Sequence, residues 1–245
     1  MRATRRRYVE GWYGRVVRQS ASVLPLQERR RPPEESPLVI DWRQPATPVA
    51  RSRCKRAFDV LVAGFALLFL APFLLLVGAA IAVESGGPVL FRQERTGYRG
   101  RVFTIFKFRT MTVVEHGSVS LQATRGDVRV TRIGFILRKL SLDELPQLLN
   151  VVRGEMSLIG PRPHATGHDA NFARAVPGYA DRFNARPGLT GLAQVNGHRG
   201  EIRSVACIAA RVANDRDYIR RWSLWLDLQI LLRTVPLLFG DPKAY

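Results

Sequence analysis

The longest apolar segment of the chain carries no charged residue from Val60 to Val83. A continuous α-helix of this length would reach roughly 36 Å, which is enough to cross a bilayer. Pro72 lies near its middle and removes one backbone hydrogen bond there. Basic residues flank both ends, so the positive-inside rule places both ends in the cytoplasm. Two paths stay open: a helix that breaks at Pro72 and returns to the same face, or a spanning helix with a proline kink.

Charge narrows the possible partners of the chain. The 245 residues carry a formal net charge of +18, which implies an anionic partner: nucleic acid, an anionic membrane surface or a phosphorylated substrate. The apolar run disfavours nucleic acid, because a soluble nucleic-acid binder would have to bury that run in its core. Cys54 and Cys207 show neither a disulfide pattern nor metal-ligand spacing, which fits a reducing compartment.

Residues 1–50 form a basic, proline-rich extension that we expect to be disordered. Within it, aromatic and apolar residues recur at helical spacing between Tyr8 and Val17, with arginines around them. That pattern is typical of a short interfacial helix on an anionic membrane. A disordered basic tail is the alternative.

A β-hairpin is predicted after the apolar run. The β-prone residues lie at 89–91 and 102–108, and a glycine-containing turn at 96–100 separates them. Lys107 and Arg109 alternate with phenylalanines, so both side chains would leave one face of the second strand. Such a pair could hold a diphosphate. A solvated or lipid-headgroup face is the alternative.

Two adjacent carboxylates, Asp143 and Glu144, lie between Ser141 and Pro146 in a basic neighbourhood. Carboxylates among cations suit a metal ion, a phosphate or both, so this pair is the candidate reaction centre. Ser141 and Glu144 also have the spacing of a capping box, in which they would only cap a helix. Pro146 argues against that, since a helix capped at Ser141 would lose a backbone bond there. It fits better in the first turn of a helix that Gly154 ends.

Basic residues around this centre are candidates for holding phosphate. Arg138 lies in a helix predicted from the apolar period of residues 133–140, and Arg162 lies between Pro161 and Pro163. The two prolines stiffen the backbone around that arginine, and a preorganised guanidinium is suited to clamp a phosphate. A rigid loop with an exposed arginine is the alternative.

Several stretches of the chain, in a fixed order, resemble one known family. They are 55–59, 87–95, 106–111, 141–148, 153–163, 186–197, 217–218 and 222–227. The family is that of the monotopic phosphoglycosyl transferases, the bacterial sugar transferases, and the resemblance runs from about residue 54 to the C-terminus. So many motifs in the expected order make it specific. The chain looks most like the short, exopolysaccharide-initiating members.

The resemblance implies a helix-rich α+β fold in a monotopic membrane protein. Its re-entrant helix would break at Pro72, and its catalytic domain would lie on the cytoplasmic face of the bacterial inner membrane. The family usually has serine before that proline, whereas this chain has Ala71, which removes a hydroxyl that could satisfy freed backbone groups. The boundaries that follow are 51–245 for the sugar transferase domain, 57–83 for its membrane helix and 84–245 for its catalytic part.

The implied reaction moves a hexose-1-phosphate, such as that of glucose or galactose, from a UDP-sugar to undecaprenyl phosphate and releases UMP. Asp143 would be the nucleophile that carries a covalent phosphosugar, and Glu144 would hold Mg²⁺. The substrate-binding candidates are Lys107, Arg109, Arg138, Arg162, Arg186 and Asp217. As the first membrane step of exopolysaccharide synthesis, the reaction would have inner-membrane lipids and downstream glycosyltransferases as partners, and no nucleic acid.

From the residues alone, an alternative of another class stays open. A membrane-bound scaffold could use its basic face to recruit anionic lipids or protein partners, with residues 141–144 acting only as a helix cap. One variant separates the two readings. A scaffold should tolerate Asp143→Ala, whereas a transferase should not.

Overall fold

The apolar run lies within one long helix. The computed structural model describes residues 45–112, 127–200, 202 and 204–240, and the predictions for residues 1–44 lie outside that part. After a first short helix, α1 (Pro48–Arg51), helix α2 runs from Arg53 to Ser85. Among the described helices it is the one long and apolar enough to cross a bilayer. It continues through Pro72, so the break and the re-entrant path stay predictions.

The other described elements are short. In chain order they are β1 (Leu90–Thr96), β2 (Val102–Phe108), α3 (Arg132–Lys139), α4 (Leu148–Arg153), β3 (Ser157–Ile159), α5 (Thr166–Ala175), β4 (Gly188–Thr190), α6 (Leu192–Val195), α7 (Val205–Arg221) and α8 (Leu224–Gly240). Turns of 3₁₀ helix lie at Tyr98–Gly100, Leu142–Gln147 and Tyr179–Asn184. This composition confirms the predicted helix-rich α+β class.

The predicted hairpin is confirmed. β1 and β2 pair antiparallel, with Leu90 opposite Phe108. Phe103 and Ile105 of β2 are buried, because alternate residues of a strand share one face and this face is covered. β3 and β4 form a second, parallel pair, which requires the longer connection through α5 that lies between them.

One core joins the long helix to the elements around the carboxylate pair. Its buried members come from α2, β2, α4, β3, α7 and α8 and include Ala63, Ile105, Val151, Leu158, Tyr218 and Ile230. A buried core residue touches neighbours from several elements at once. The positions of β2, α4 and β3 are therefore set partly by α2.

Polar contacts fix both ends of α2. Near its start, Arg56 donates a hydrogen bond to the carbonyl oxygen of Val151 in α4 at 2.6 Å. Near its end, the Glu84 carboxylate accepts one from the backbone N–H of Ile133 at 3.1 Å, where an anion suits the N-terminus of α3. Both ends of α2 thus contact the same folded part of the chain.

Helices α2 and α8 both expose large apolar side chains. Along α2 they include Leu61, Phe65, Leu68, Phe69, Leu75, Leu76 and Val83. Along α8 they are Leu224, Trp225, Leu228, Leu232 and Val235, whereas Asp227 and Ile230 of that helix are buried. An exposed apolar face with tryptophan suits a membrane interface.

Candidate active site

A strained turn presents the two carboxylates. After α3 the chain reverses at Ser141, whose backbone is left-handed, with φ 57° and ψ 21°. Such a conformation is uncommon outside glycine and is found at functional segments. The Ser141 hydroxyl does not cap the turn that follows. It accepts a hydrogen bond from Arg199 at 2.5 Å, so the capping-box alternative is wrong here.

Asp143 and Glu144 lie in the 3₁₀ turn Leu142–Gln147, together with Pro146. The helix predicted to start around Pro146 begins two residues later, as α4. The 3₁₀ turn accommodates Pro146, which has no backbone N–H to donate. Gly154 ends α4 as predicted, in a left-handed conformation with φ 88°.

Glu144 is buried and held by two cations. Lys107 Nζ, from β2, lies 2.6 Å from its Oε1, and Arg162 donates to both carboxylate oxygens, at 2.9 and 2.5 Å. Burial alone would raise the pKa of Glu144. The charges of Arg162 and Lys107, with their hydrogen bonds, outweigh burial and hold that pKa well below its usual range. Glu144 is therefore an ionised carboxylate fixed in place.

Asp143 is in the opposite situation. It is half-buried, and its carboxylate forms no hydrogen bond or ion pair with any residue that the structure describes. Burial raises the pKa of Asp143 to about 6; the charge of Lys107 opposes this rise, and that of Glu144 adds to it. Arg138 and Arg162 are the other cations that act on it. An unpaired carboxylate, ionised at neutral pH and surrounded by cations, is suited to act as a nucleophile.

The structure brings Lys107, Arg138 and Arg162 to the carboxylate pair and places the other three candidates elsewhere. Arg109 is buried and donates to the carbonyl oxygen of Gly86, at the C-terminal end of α2. The Arg186 Nε donates to the carbonyl oxygen of Gly154 at 3.1 Å. The carboxylate of Asp217 pairs with two arginines of its own helix, α7.

Comparison with known proteins now decides the family. A family model described as Bacterial sugar transferase matches residues 50–241, which is most of the chain. The chain belongs to the bacterial sugar transferase family. A UDP-glucose:undecaprenyl-phosphate glucose-1-phosphate transferase of Caulobacter vibrioides is 55% identical over 201 residues, which cover 82% of this chain and 75% of that protein.

Further relatives differ in length. A Klebsiella pneumoniae protein of the same name is 46% identical over 191 residues, which cover 78% of this chain but only 41% of that protein. The exopolysaccharide production protein PSS of Rhizobium leguminosarum bv. phaseoli is 46% identical over 185 residues, 74% of this chain and 92% of its own. This sugar transferase thus spans less than half of some relatives and nearly all of others. The predicted family is confirmed.

A buried layer behind Arg162 was not predicted. Arg182 donates to the carbonyl oxygen of Arg162 and lies 3.1 Å from Asp215 Oδ2. Burial raises the pKa of Asp215 to about 6, against the charge of Arg182. Helical spacing in the sequence could have revealed this layer, because Asp215 shares one face of α7 with the buried residues Ile208 and Val212. A charged residue at a core-facing position requires a buried partner.

The carboxylate pair can be tested for fit to the Mg²⁺ that this family implies. Across the described ranges, no three His, Cys, Asp or Glu side chains are grouped so as to hold a metal ion. Mg²⁺ is ordinarily bound by one or two carboxylates plus substrate phosphates and water. Glu144 can supply one such carboxylate, because the donors from Lys107 and Arg162 leave one of its roughly four lone-pair positions, on Oε2, for a metal. The site therefore fits a Mg²⁺ that takes its other ligands from a diphosphate and water, rather than one enclosed by protein alone.

Proposed function

We propose that this sugar transferase moves a hexose-1-phosphate from a UDP-sugar to undecaprenyl phosphate, releases UMP, and so begins exopolysaccharide synthesis at the membrane. The observation that carries the proposal is the asymmetric carboxylate pair: two cations fix Glu144, whereas Asp143 has no partner in the described structure. The names of the Caulobacter and Klebsiella relatives agree with this reaction and favour UDP-glucose as the donor. Downstream glycosyltransferases would then extend the lipid-linked sugar.

The proposed reaction has two steps on one phosphorus atom. An ionised Asp143 oxygen attacks the β-phosphorus of the UDP-sugar, a carboxyl–phosphorus bond forms, and UMP leaves with the bridging oxygen. An oxygen of undecaprenyl phosphate then attacks the same phosphorus. The carboxyl–phosphorus bond breaks, Asp143 is regenerated, and the sugar ends on a polyprenyl diphosphate. Ping-pong kinetics follow from this order.

Cations have to offset the repulsion between an attacking carboxylate and a diphosphate. Lys107 and Arg162 lie at hydrogen-bond distance from Glu144, and the charge of Arg138 acts on Asp143. We propose that these three side chains bind the diphosphate. Glu144 would hold the Mg²⁺, which when bound supplies positive charge for the diphosphate and the departing UMP. Arg109, Arg186 and Asp217 stay predictions for substrate binding.

The proposal places α2 on a re-entrant path, with the catalytic domain on the cytoplasmic face of the inner membrane. Support comes from Arg56 and Glu84, which tie opposite ends of α2 to the same folded part. If α2 crossed the bilayer, that folded part would have to pass through hydrocarbon, where irregular polar backbone is not tolerated. The exposed apolar face of α8 can rest on the same leaflet.

Thiol labelling tests this topology. Cys54 is exposed at the start of α2, and Glu94, beyond its end, is exposed as well. In a Cys207→Ala background, a membrane-impermeant maleimide should modify Cys54, and a cysteine introduced by Glu94→Cys, in inside-out vesicles but not in spheroplasts. Labelling of the two positions from opposite sides would establish a spanning helix instead.

The reaction is tested with purified protein in lipid, Mg²⁺, UDP-glucose and undecaprenyl phosphate. Wild type should release UMP and form a lipid-linked sugar, and Asp143→Asn should do neither. Asp181→Asn is the matched control, since Asp181 is a partly exposed carboxylate that pairs with Arg216 on the surface. Wild-type turnover in Asp143→Asn, or no UMP from any UDP-sugar tried, would reject the proposal.

A further inference from the structure

A group of buried charges joins the start of α2 to α8. Lys55, Asp59 and Asp227 are each at most 3% exposed. Lys55 Nζ lies 2.9 Å from Asp59 Oδ1 and 3.0 Å from Asp227 Oδ2, so one lysine pairs with both carboxylates. Removing three charges from water is costly, and an apolar helix needs none of them to enter a bilayer. The cluster therefore requires a reason beyond membrane anchoring.

The two carboxylates of this cluster also hold strand β3. Asp59 Oδ2 accepts a hydrogen bond from Ser157 Oγ at 2.8 Å, and Asp59 Oδ1 accepts one from the backbone N–H of Leu158 at 3.2 Å. Tyr218 Oη lies 2.8 Å from Asp227 Oδ1 and 3.0 Å from the carbonyl oxygen of the last residue of β3. Ser157 and Leu158 of this three-residue strand thus contact the cluster directly, and Ile159 is linked to it through Tyr218.

Strand β3 leads directly to Arg162. Only Gly160 and Pro161 separate Arg162 from the end of the strand. The Gly160 N–H donates to the carbonyl oxygen of Thr190 at 2.9 Å, and a Cβ on Gly160 would lie 2.3 Å from a backbone oxygen of the neighbouring segment. Because the segment between β3 and Arg162 is short and closely packed, a displacement of β3 has to displace Arg162 as well.

We propose that Asp59 is a positioning residue: through β3 it aims the Arg162 guanidinium at Glu144. Because Asp59 lies on α2, the same contacts couple the seating of the membrane helix to the active site. The inference rests on the proposed function, in which Arg162 binds the diphosphate. In this proposal Asp59 contacts neither substrate nor reacting atoms, and it affects the chemistry through the position of Arg162.

A double-mutant cycle tests this route. The readout is the single-turnover rate at which label from UDP-[¹⁴C]glucose binds covalently to protein in lipid with Mg²⁺. Asp59→Asn should lower this rate between about tenfold and a hundredfold, the effect of a misplacement near 1 Å. In an Arg162→Ala background, the same substitution should change the rate less than about twofold, since the residue it acts through is gone. An equal fold-change in both backgrounds would overturn the inference.

Hydrogen exchange supplies a readout that does not depend on the reaction. Asp59→Asn should speed amide exchange in a peptide spanning residues 157–162, whereas Asp181→Asn should not. Ser157→Ala removes the hydroxyl that lies 2.8 Å from both Asp59 Oδ2 and the carbonyl oxygen of Ile159, and it leaves the charges in place, so it serves if Asp59→Asn fails to fold. It should give a smaller change in the same direction in both experiments.

The outcomes separate the two proposals. If wild type transfers sugar, and if Asp59→Asn and Ser157→Ala both leave the labelling rate and the amide exchange unchanged, the inference is overturned and the proposed function stands. Wild type that binds no label from any UDP-sugar overturns the proposed function. In that case the hydrogen-exchange experiment still tests whether Asp59 positions Arg162. Unchanged exchange at residues 157–162 would then overturn the inference as well.

Discussion

Lowering the pH from 7 to 5 should slow the formation of the covalent intermediate about tenfold. The step needs an ionised Asp143, and burial raises the pKa of that carboxyl from its ordinary 3.8 to about 6. With a pKa of 6, about 0.9 of the molecules carry ionised Asp143 at pH 7 and about 0.1 at pH 5. With a pKa of 3.8, the ionised fraction would be about 0.9 or more at both values. The tenfold change therefore comes from the raised pKa.

The assay is single-turnover labelling with UDP-[¹⁴C]glucose and no polyprenyl phosphate, started by a jump to each pH and stopped in acid. The ionisation of two other groups at the active site does not contribute to this change in rate. The pKa of Glu144 is held well below its usual range, and the donor diphosphate keeps its charge over this interval. Asp181→Asn, altered at an exposed surface pair, is the control and should follow wild type.

A second variant tests the direction in which a neighbouring charge shifts the pKa of Asp143. The charge of Arg138 lowers the pKa of Asp143, so Arg138→Met should raise that pKa and move the midpoint of the profile to higher pH. A wild-type rate that is flat between pH 5 and 7 would contradict a raised pKa of Asp143. A midpoint that moves to lower pH in Arg138→Met would contradict the effect of the Arg138 charge on that pKa.

Three further predictions concern stability, measured as thermal midpoints in one lipid or detergent. Asp143→Asn should raise the midpoint at pH 8, because the folded pKa of Asp143 lies above the unfolded value. The penalty for ionising it is fully present above about pH 6 and absent below about pH 3.8, so the gain should vanish in acid. Glu144→Gln should lower the midpoint, since it removes the partner of Lys107 and of Arg162, which is 30% exposed. A loss of about 2 kcal/mol corresponds to about 4–8 °C in a domain of this size. Ser141→Gly should be more stable than Ser141→Ala, because both lose the hydrogen bond from Arg199 and only glycine relieves the left-handed backbone. Equal midpoints for the two Ser141 variants would contradict this, as would a stabilised Glu144→Gln.

Local patterns predicted the elements of the fold well. The absence of charge between Val60 and Val83 marked α2, and alternation marked the hairpin. The apolar period of residues 133–140 marked α3. Each of these signals lies within about 25 residues, and hydrophobic periodicity is itself a local property.

Contacts between distant residues were harder to predict. Glu144 pairs with Lys107, 37 residues earlier, and Arg162, 18 residues later, and no local pattern records such a pairing. Arg109 is an example. Alternation places its side chain on the same face of the strand as Lys107 only if the strand continues through Arg109. β2 ends at Phe108, so the period of two stops applying, and Arg109 turns to the end of α2. The burial of Asp59 and Asp215 likewise depends on packing between elements.

The proposed mechanism is tested most directly by locating the covalent sugar phosphate. Purified protein would be incubated in lipid with Mg²⁺ and UDP-glucose, without polyprenyl phosphate, quenched in acid, digested and examined by mass spectrometry. The proposed mechanism predicts a hexose-phosphate adduct on Asp143 in wild type, absent in Asp143→Asn and discharged by undecaprenyl phosphate. An adduct on another residue would contradict it. UMP release that begins only when both substrates are present would contradict it as well.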